Sequence, residues 1–267
     1  MSRPRLALLD ASHGDSNTRR NFRRELDADL VEFAASEGEL PPTGGYDEYD
    51  GVVVTGSRAS VYWDEPWIRP LVEWVDGAAE SGLPVLGVCF GHQVVAEALG
   101  GHVEAMEEFE IGYREVRRVG GAVEGSDADG GVQPDDDGAR PGDGDDPLFA
   151  GIDDRFTVFT THGDSVVDLP PGAQVLAENE YGVHGFRVGH AFGVQFHPEY
   201  DPETARAVTR GKEERLGTER VESVLAGVTD ENYAAACEAK RLFENFVDYV
   251  ERVRTDAGPD TDAGVTA

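Results

Sequence analysis

The stretch PVLGVCFGHQVVAEALGG, residues 84–101, predicts a strand, a sharp turn and a helix in immediate succession. Residues 84–88 form a short apolar run of the kind found in buried strands, and residues 92–101 have helical spacing that ends at glycine. The turn between them, residues 87–91, reads Gly-Val-Cys-Phe-Gly. It is the cysteine form of the nucleophile elbow, in which small flanking residues let neighbouring chains approach closely.

Cys89 would lie at the N-terminus of this helix, where free N–H groups and the helix dipole stabilise a thiolate. The N–H of Phe90 would then point to the position where an oxyanion forms. The turn alone is equally compatible with a cysteine that is not a nucleophile and simply packs in the core as a small apolar residue. A nucleophile requires a general base, so the rest of the chain must decide between the two interpretations.

The chain has a different pattern on each side of this turn. On the N-terminal side strands alternate with helices, which predicts a parallel, doubly wound sheet. The strands expected there cover residues 5–12, 29–35 and 49–57, and the helices cover 17–28 and 65–82. On the C-terminal side short strands joined by turns predict a smaller, mostly antiparallel portion at the sheet's edge. These strands cover 113–119, 155–166, 173–181, 183–188 and 191–200, and extra helices follow Pro202, the strongest within 231–253.

Composition divides the chain into one domain, an insert and a tail. Residues 1–254 are expected to form the domain. Within it, residues 120–146 hold eight glycines and eight aspartates but no aromatic residue, which predicts a flexible acidic surface insert. Its spacing does not fit the twelve-residue calcium loop. Residues 255–267 are expected to form a disordered tail.

The charge of the chain is strongly negative. Asp and Glu number 53 and Lys and Arg 23, a formal net charge of −30. Such a surface repels nucleic acid and anionic membranes, and acid-coated proteins are typical of salt-rich cytoplasms, so a halophilic source is expected. Two cysteines exclude a disulfide framework, and no segment resembles a signal peptide or a membrane helix, which favours a cytoplasmic location.

The best candidate for the general base lies in GVQFHPEY, residues 193–200. His197 and Glu199 are two apart, and in extended backbone such side chains point to the same side. Pro198 between them disfavours a helix. Glu199 can therefore bind one imidazole nitrogen and leave the other facing a thiol. A solvated histidine at a strand end is the simpler alternative.

Three separated motifs resemble those of one family, the class I glutamine amidotransferases. Residues 89–93, Cys-Phe-Gly-His-Gln, match the family's C-x-G-x-Q motif, and residues 197–199 match H-P-E. Residues 161–166, THGDSV, are similar to the S-H-G-D-x-V segment in the glutaminase portion of GMP synthases. The resemblance covers about residues 5–201 and implies a flavodoxin-like, mostly parallel sheet flanked by helices.

The resemblance also implies roles for individual residues. Cys89 would attack the side-chain amide of L-glutamine, His197 would transfer the proton to departing ammonia, and Glu199 would orient His197. The oxyanion hole would comprise the N–H of Phe90 and the turn at Gly56 and Ser57. Two substrate-binding residues are implied, Gln93 on the first helical turn and His162 at the border of the glutamine pocket.

One turn departs from the family pattern. The family commonly has S-G-G-P after its third strand, whereas this chain has Gly56-Ser57-Arg58. Arg58 either binds a substrate carboxylate or is a surface cation among many acids. Neither a phosphate loop nor a metal-ligand spacing is evident, so neither a cofactor nor a metal is expected.

Three functions remain open at this stage. The first is a glutamine amidotransferase that forms a glutamyl thioester and passes ammonia to a separate ATP-dependent synthetase, as in GMP synthesis. The second is a stand-alone hydrolase of γ-glutamyl amides or peptides with the same triad. The third is an inactive regulatory or binding subunit, against which the intact triad argues.

Overall fold

The computed structural model describes residues 2–119 and 146–256. The expected acidic insert, apart from Asp146, therefore lies outside the described residues, as does the expected tail beyond Asp256. Asp146 caps a short 3-10 turn by accepting the N–H of Leu148 at 2.9 Å. Thr255 and Asp256, assigned to the tail from the sequence, belong to the last turn of a helix.

Within these residues, nine strands form one mixed sheet. In chain order they are β1 Arg5–Leu9, β2 Asp29–Phe33, β3 Gly51–Val54, β4 Val85–Val88, β5 His102–Arg118, β6 Arg155–Asp168, β7 Gln174–Asn179, β8 Gly182–Val188 and β9 Ala191–Val194. The order across the sheet is β2-β1-β3-β4-β9-β8-β7-β5-β6. The pairs from β2 to β9 are parallel and those from β9 to β6 are antiparallel, which confirms the predicted fold class.

Helices cover both faces of the parallel half. Helices α1 Ser16–Glu25 and α8 Arg241–Asp256 lie on one face, and α2 Ile68–Glu80 and α3 Phe90–Ala98 lie on the other. Because both faces are covered, every residue of β3, β4 and β9 is buried. The last helix therefore forms part of the main core.

The antiparallel half differs from expectation in length. β5 has 17 residues and β6 has 14, and β5 begins at His102 rather than near 113. Residues 104–108 carry exposed acidic side chains, which hid the strand in the sequence.

The C-terminal helices also differ from the sequence prediction. The single helix predicted over 231–253 is two helices, α7 Asp230–Ala236 and α8, separated by a 3-10 turn. Helices α4 Pro202–Arg210, α5 Glu213–Leu216 and α6 Thr218–Ala226 pack near β5 and β6. Among the described residues, no helix is long and apolar enough to cross a membrane.

Candidate active site

The sharp turn predicted from the sequence joins β4 to α3. Cys89 lies at this turn with φ 55° and ψ −103°, and its side chain is buried. A Cβ on Gly87 would lie 2.2 Å from the carbonyl oxygen of Gly91, and one on Gly91 would lie 2.2 Å from that of Val54. Both glycines are required because backbone occupies the space of a side chain. Interlocked backbone thus holds the thiol in a strained conformation.

His197 follows β9 and is held on three sides. Its N–H donates to the carbonyl of Phe159 at 2.9 Å, and its Nδ1 lies 2.7 Å from Glu199 Oε1. The Tyr200 ring stacks on the imidazole with 4.0 Å between centroids. His197 and Glu199 are both buried. The backbone contact, the carboxylate and the stacked ring together fix the orientation of the imidazole.

The charge on His197 depends on two neighbours, Glu199 and Cys89. Burial disfavours the imidazolium, but the Glu199 carboxylate and the hydrogen-bonded Cys89 sulfur outweigh burial and raise the pKa of His197 to about 10. His197 is therefore protonated at neutral pH. An imidazolium beside the sulfur favours a thiolate–imidazolium pair, as in other cysteine nucleophiles.

Gly56 and Ser57, after β3, lie beside this pair. A Cβ on Gly56 would lie 2.9 Å from His197 Cε1 and 3.6 Å from Cys89 Cβ, so glycine alone fits there without displacing the imidazole. The Ser57 Oγ accepts the N–H of Ala59 at 3.2 Å. Within the described residues, no acceptor is recorded for the N–H groups of Gly56, Ser57 and Phe90. These three N–H groups remain available as oxyanion donors.

Gln93 and His162 lie in a buried layer behind the nucleophile, and neither lines the cleft above it. The Gln93 Nε2 donates to Gln195 Oε1 at 3.3 Å. The His162 Nδ1 lies 2.9 Å from the carbonyl of Asp164, and its Nε2 points away from the cleft. Thr161, the residue before His162, lines the cleft instead.

One group of buried side chains has the composition of a metal site. Glu110, His162 and His184 come from β5, β6 and β8, and their ligand atoms lie within 4.8 Å of one another. The His162 Nε2 and the His184 Nε2 lie 2.6 and 3.2 Å from Glu110 Oε2. The shorter of these is a hydrogen-bond distance, and Asn179 donates to Glu110 Oε1 at 2.8 Å. We therefore describe this group as a buried hydrogen-bond network.

The cleft beside His197 is lined by side chains of both charge signs. His197 and Gly56 border it, together with Asp15, Arg58 and Lys212. Lys212 is half-buried, and burial together with the neighbouring Arg58 and Arg215 lowers its pKa, although the Cys89 sulfur acts in the opposite direction. The sequence left the role of Arg58 open and gave no signal for Lys212, which belongs to no motif.

Comparison with known sequences identifies a matching family and several similar proteins. Residues 16–210 match the family described as glutamine amidotransferase class-I. The chain is 33% identical over 212 residues to the glutamine-hydrolyzing GMP synthase of Thermomicrobium roseum, covering 70% of this chain and 35% of that protein. It is 31% identical over 174 residues to γ-glutamyl peptidase 5 of Arabidopsis thaliana, covering 64% and 62%. The chain thus spans about a third of the synthase and less than two thirds of the peptidase.

Solved structures share the fold. A glutamine amidotransferase of Thermotoga maritima superposes with a TM-score of 0.70 at 23% identity, covering 93% of this chain and 100% of that one. A glutamine amidotransferase of Methylobacillus flagellatus gives a TM-score of 0.69 at 17% identity, covering 94% and 95%. At these identities the likeness concerns the fold alone.

Proposed function

This chain belongs to the class-I glutamine amidotransferase family, and on that premise we propose that it hydrolyses γ-glutamyl amide bonds through a thioester on Cys89. The observation that carries the proposal is that a strained, buried cysteine and a histidine fixed by Glu199 meet at Gly56, where an added Cβ would lie 3.6 Å from Cys89 Cβ and 2.9 Å from His197 Cε1. Nucleophile, base and orienting group thereby follow one another in hydrogen-bond order.

In the first half-reaction the Cys89 thiolate attacks the γ-carbonyl carbon of the substrate. The N–H groups of Phe90 and of the Gly56–Ser57 turn stabilise the oxyanion of the tetrahedral intermediate. The His197 imidazolium donates its proton to the leaving nitrogen, the C–N bond breaks, and ammonia or an amine departs. A γ-glutamyl thioester on Cys89 remains.

In the second half-reaction water attacks the thioester. His197, now neutral, accepts the proton of this water while the same N–H groups hold the oxyanion. The C–S bond breaks, glutamate is released, and the thiolate–imidazolium pair forms again. Glu199 holds the His197 Nδ1 side throughout, so that the other nitrogen faces the reacting atoms.

Two leaving groups are compatible with this mechanism. The likeness to GMP synthase supports ammonia release from L-glutamine and its use by a separate ATP-dependent synthetase. The likeness to γ-glutamyl peptidase, together with Arg58 and Lys212 in the cleft, supports the second candidate, hydrolysis of a γ-glutamyl peptide by this chain alone. The intact triad weighs against an inactive subunit.

The test is product release in concentrated KCl by the wild type and by Cys89→Ala. Ammonia from L-glutamine and glutamate from a γ-glutamyl dipeptide are measured separately, because dipeptide cleavage frees no ammonia. Release of either product should depend on Cys89. Cys237→Ala is the matched control, since Cys237 lies in the 3-10 turn between α7 and α8 and should be dispensable. Equal turnover by Cys89→Ala and wild type would contradict the proposal.

A further inference from the structure

We propose that Arg58, Lys212 and Arg215, here called the cationic rim, bind a carboxylate on the leaving-group side of a γ-glutamyl amino acid or peptide. This inference rests on the proposed function, because it concerns the substrate of the same nucleophile. It names the substrate class that the shared mechanism leaves open.

The cationic rim comes from two separate segments that meet at one opening. Arg58 follows the oxyanion turn, and Lys212 lies between α4 and α5; both line the cleft with His197. Arg215, in α5, has its guanidinium 4.5 Å from the centroid of the Phe109 ring, and the Lys212 Nζ lies 5.4 Å from the same centroid. One aromatic ring thus supports two of the three cations.

Arg215 also approaches the segment that borders the nucleophile. A Cβ on Gly163 would lie 2.6 Å from the Arg215 guanidinium, so the arginine packs closely against the backbone of β6. Gly163 is two residues from Thr161, which lines the cleft. Arg58 and Lys212 therefore line the cleft, and Arg215 lies against β6 near the cleft-lining Thr161.

Among the described residues these cations lack carboxylate partners, although the chain has a large excess of acids. The net charge is −30, yet no carboxylate of the described residues lies within 4.0 Å of any rim cation. The nearby Asp164 instead accepts hydrogen bonds from Ser60 Oγ at 2.6 Å and Tyr62 OH at 2.7 Å. Like charges held together repel one another, and an anionic ligand would relieve that repulsion.

Whether a substrate can bind the cationic rim depends on whether its leaving group carries a carboxylate. Ammonia from glutamine carries no group that could reach these cations. An amino acid leaving from a γ-glutamyl bond carries its own carboxylate close to the scissile nitrogen. Two other uses of the charge, holding the α-carboxylate of the glutamyl half or stabilising the Cys89 thiolate, would affect all γ-glutamyl substrates alike.

The experiment compares γ-glutamyl-glutamate with γ-glutamyl-ethylamide, whose leaving amine has no carboxylate. The ratio of their kcat/KM values is measured for the wild type, Arg58→Gln, Lys212→Gln and Arg215→Gln at one KCl concentration. The wild type should prefer γ-glutamyl-glutamate. Lys212→Gln should lower the preference about tenfold because it is half-buried, and the exposed arginines should lower it several-fold. Equal losses with both substrates would overturn the proposal.

Arg69→Gln is the matched control, since it makes the same change of net charge. Arg69 pairs with Glu73 at 2.9 Å on the exposed side of α2, outside the cleft, so its ratio should equal that of the wild type. A drop like that of Lys212→Gln would show a general charge effect and would also overturn the proposal.

Equilibrium binding separates this inference from the proposed function. Binding of the two compounds is measured to Cys89→Ala and to Cys89→Ala with Lys212→Gln. Tighter binding of γ-glutamyl-glutamate that is lost with Lys212 supports the cationic rim even without turnover, whereas equal binding of both compounds overturns it. Absence of hydrolysis of every γ-glutamyl compound by the wild type would instead overturn the proposed function.

Discussion

The two walls of the cleft are built by different means. The wall that carries Cys89 is fixed by backbone, because the glycines at 87 and 91 leave space only for neighbouring carbonyl groups. The wall that carries Lys212 and Arg215 is fixed by side chains on short helices, and these side chains are half-buried or exposed. Substitutions in the first wall would disrupt the fold, whereas substitutions in the second could change which ligand it binds. If both proposals hold, reaction chemistry and specificity lie on separate parts of the molecule.

The sharpest test of this difference is a single methyl group on each wall. Gly91→Ala would place Cβ 2.2 Å from the Val54 carbonyl oxygen, so we expect a loss of about 3 kcal/mol or more in the free energy of unfolding, with loss of activity. Gly211→Ala, between α4 and Lys212, has φ −66° and a nearest contact of 3.4 Å. It should change the free energy of unfolding by less than about 0.5 kcal/mol. Denaturant titration measures both, and similar losses would break the comparison.

A second test compares His197 with Glu199, which lie on the same side of the cleft as Cys89. His197→Ala removes the proton-transfer group and should lower kcat by about 10³-fold. Glu199→Gln keeps a side chain of the same size beside His197 Nδ1 but removes its charge, so the loss should be smaller. Steady-state kinetics on γ-glutamyl-ethylamide gives both values, and circular dichroism controls for folding. A larger loss for Glu199→Gln would contradict the orienting role of Glu199.

The contributions of His197 and Lys212 to the free energy of unfolding should change with pH in opposite directions. The pKa of His197 is raised from 6.5 to about 10 in the folded protein, so its stabilising contribution is complete below pH 6.5 and is lost as the pH rises through 10. The pKa of Lys212 is lowered by burial, so its contribution rises with pH as the folded protein releases that proton first. His197→Gln should flatten the decline of unfolding free energy between pH 7 and 10, and Lys212→Gln should steepen it. Thermal denaturation across this range provides the measurement.

Salt should produce the smallest effects. KCl should stabilise the fold but weaken substrate binding at the cationic rim. Screening weakens the self-repulsion of a chain with net charge −30, so the unfolding midpoint should rise with KCl. Screening also weakens the attraction of the cationic rim for a carboxylate, so the KM of γ-glutamyl-glutamate should rise several-fold over the same range. The KM of γ-glutamyl-ethylamide should change less. A protein fully stable in dilute buffer would remove the expectation of a halophilic source.

Local backbone rules explain what the sequence could predict. Three features depend only on residues that are close together in the chain. They are the strand–turn–helix around Cys89, the alternation of strands and helices before it, and the spacing of His197 and Glu199. The fold class was therefore accessible, and the pairing of Cys89 with His197 could be formulated as a prediction.

Contacts between distant segments explain what the sequence could not predict. Glu110 is hydrogen-bonded to His162 and lies 3.2 Å from His184 through strands far apart in the chain, so no local spacing reveals the group. For the same reason, His162 was expected at the pocket but turns towards Glu110 behind it. Lys212 acquires its place only when α4 and α5 pack near the sheet.

The position of α8 has a consequence for how the protein is made on the ribosome. Phe243, Phe246 and Val250 of α8 cover the same sheet face as Leu6 and Leu8 of β1. Strand β4 likewise finds its neighbour β9 about a hundred residues later. A nascent chain therefore carries an uncovered apolar face until synthesis has passed Val250, because β1 is covered only when α8 is present. On the proposed function, Cys89 can therefore gain its partners His197 and Glu199 only after synthesis has passed Glu199, and shorter nascent chains carry the cysteine without them.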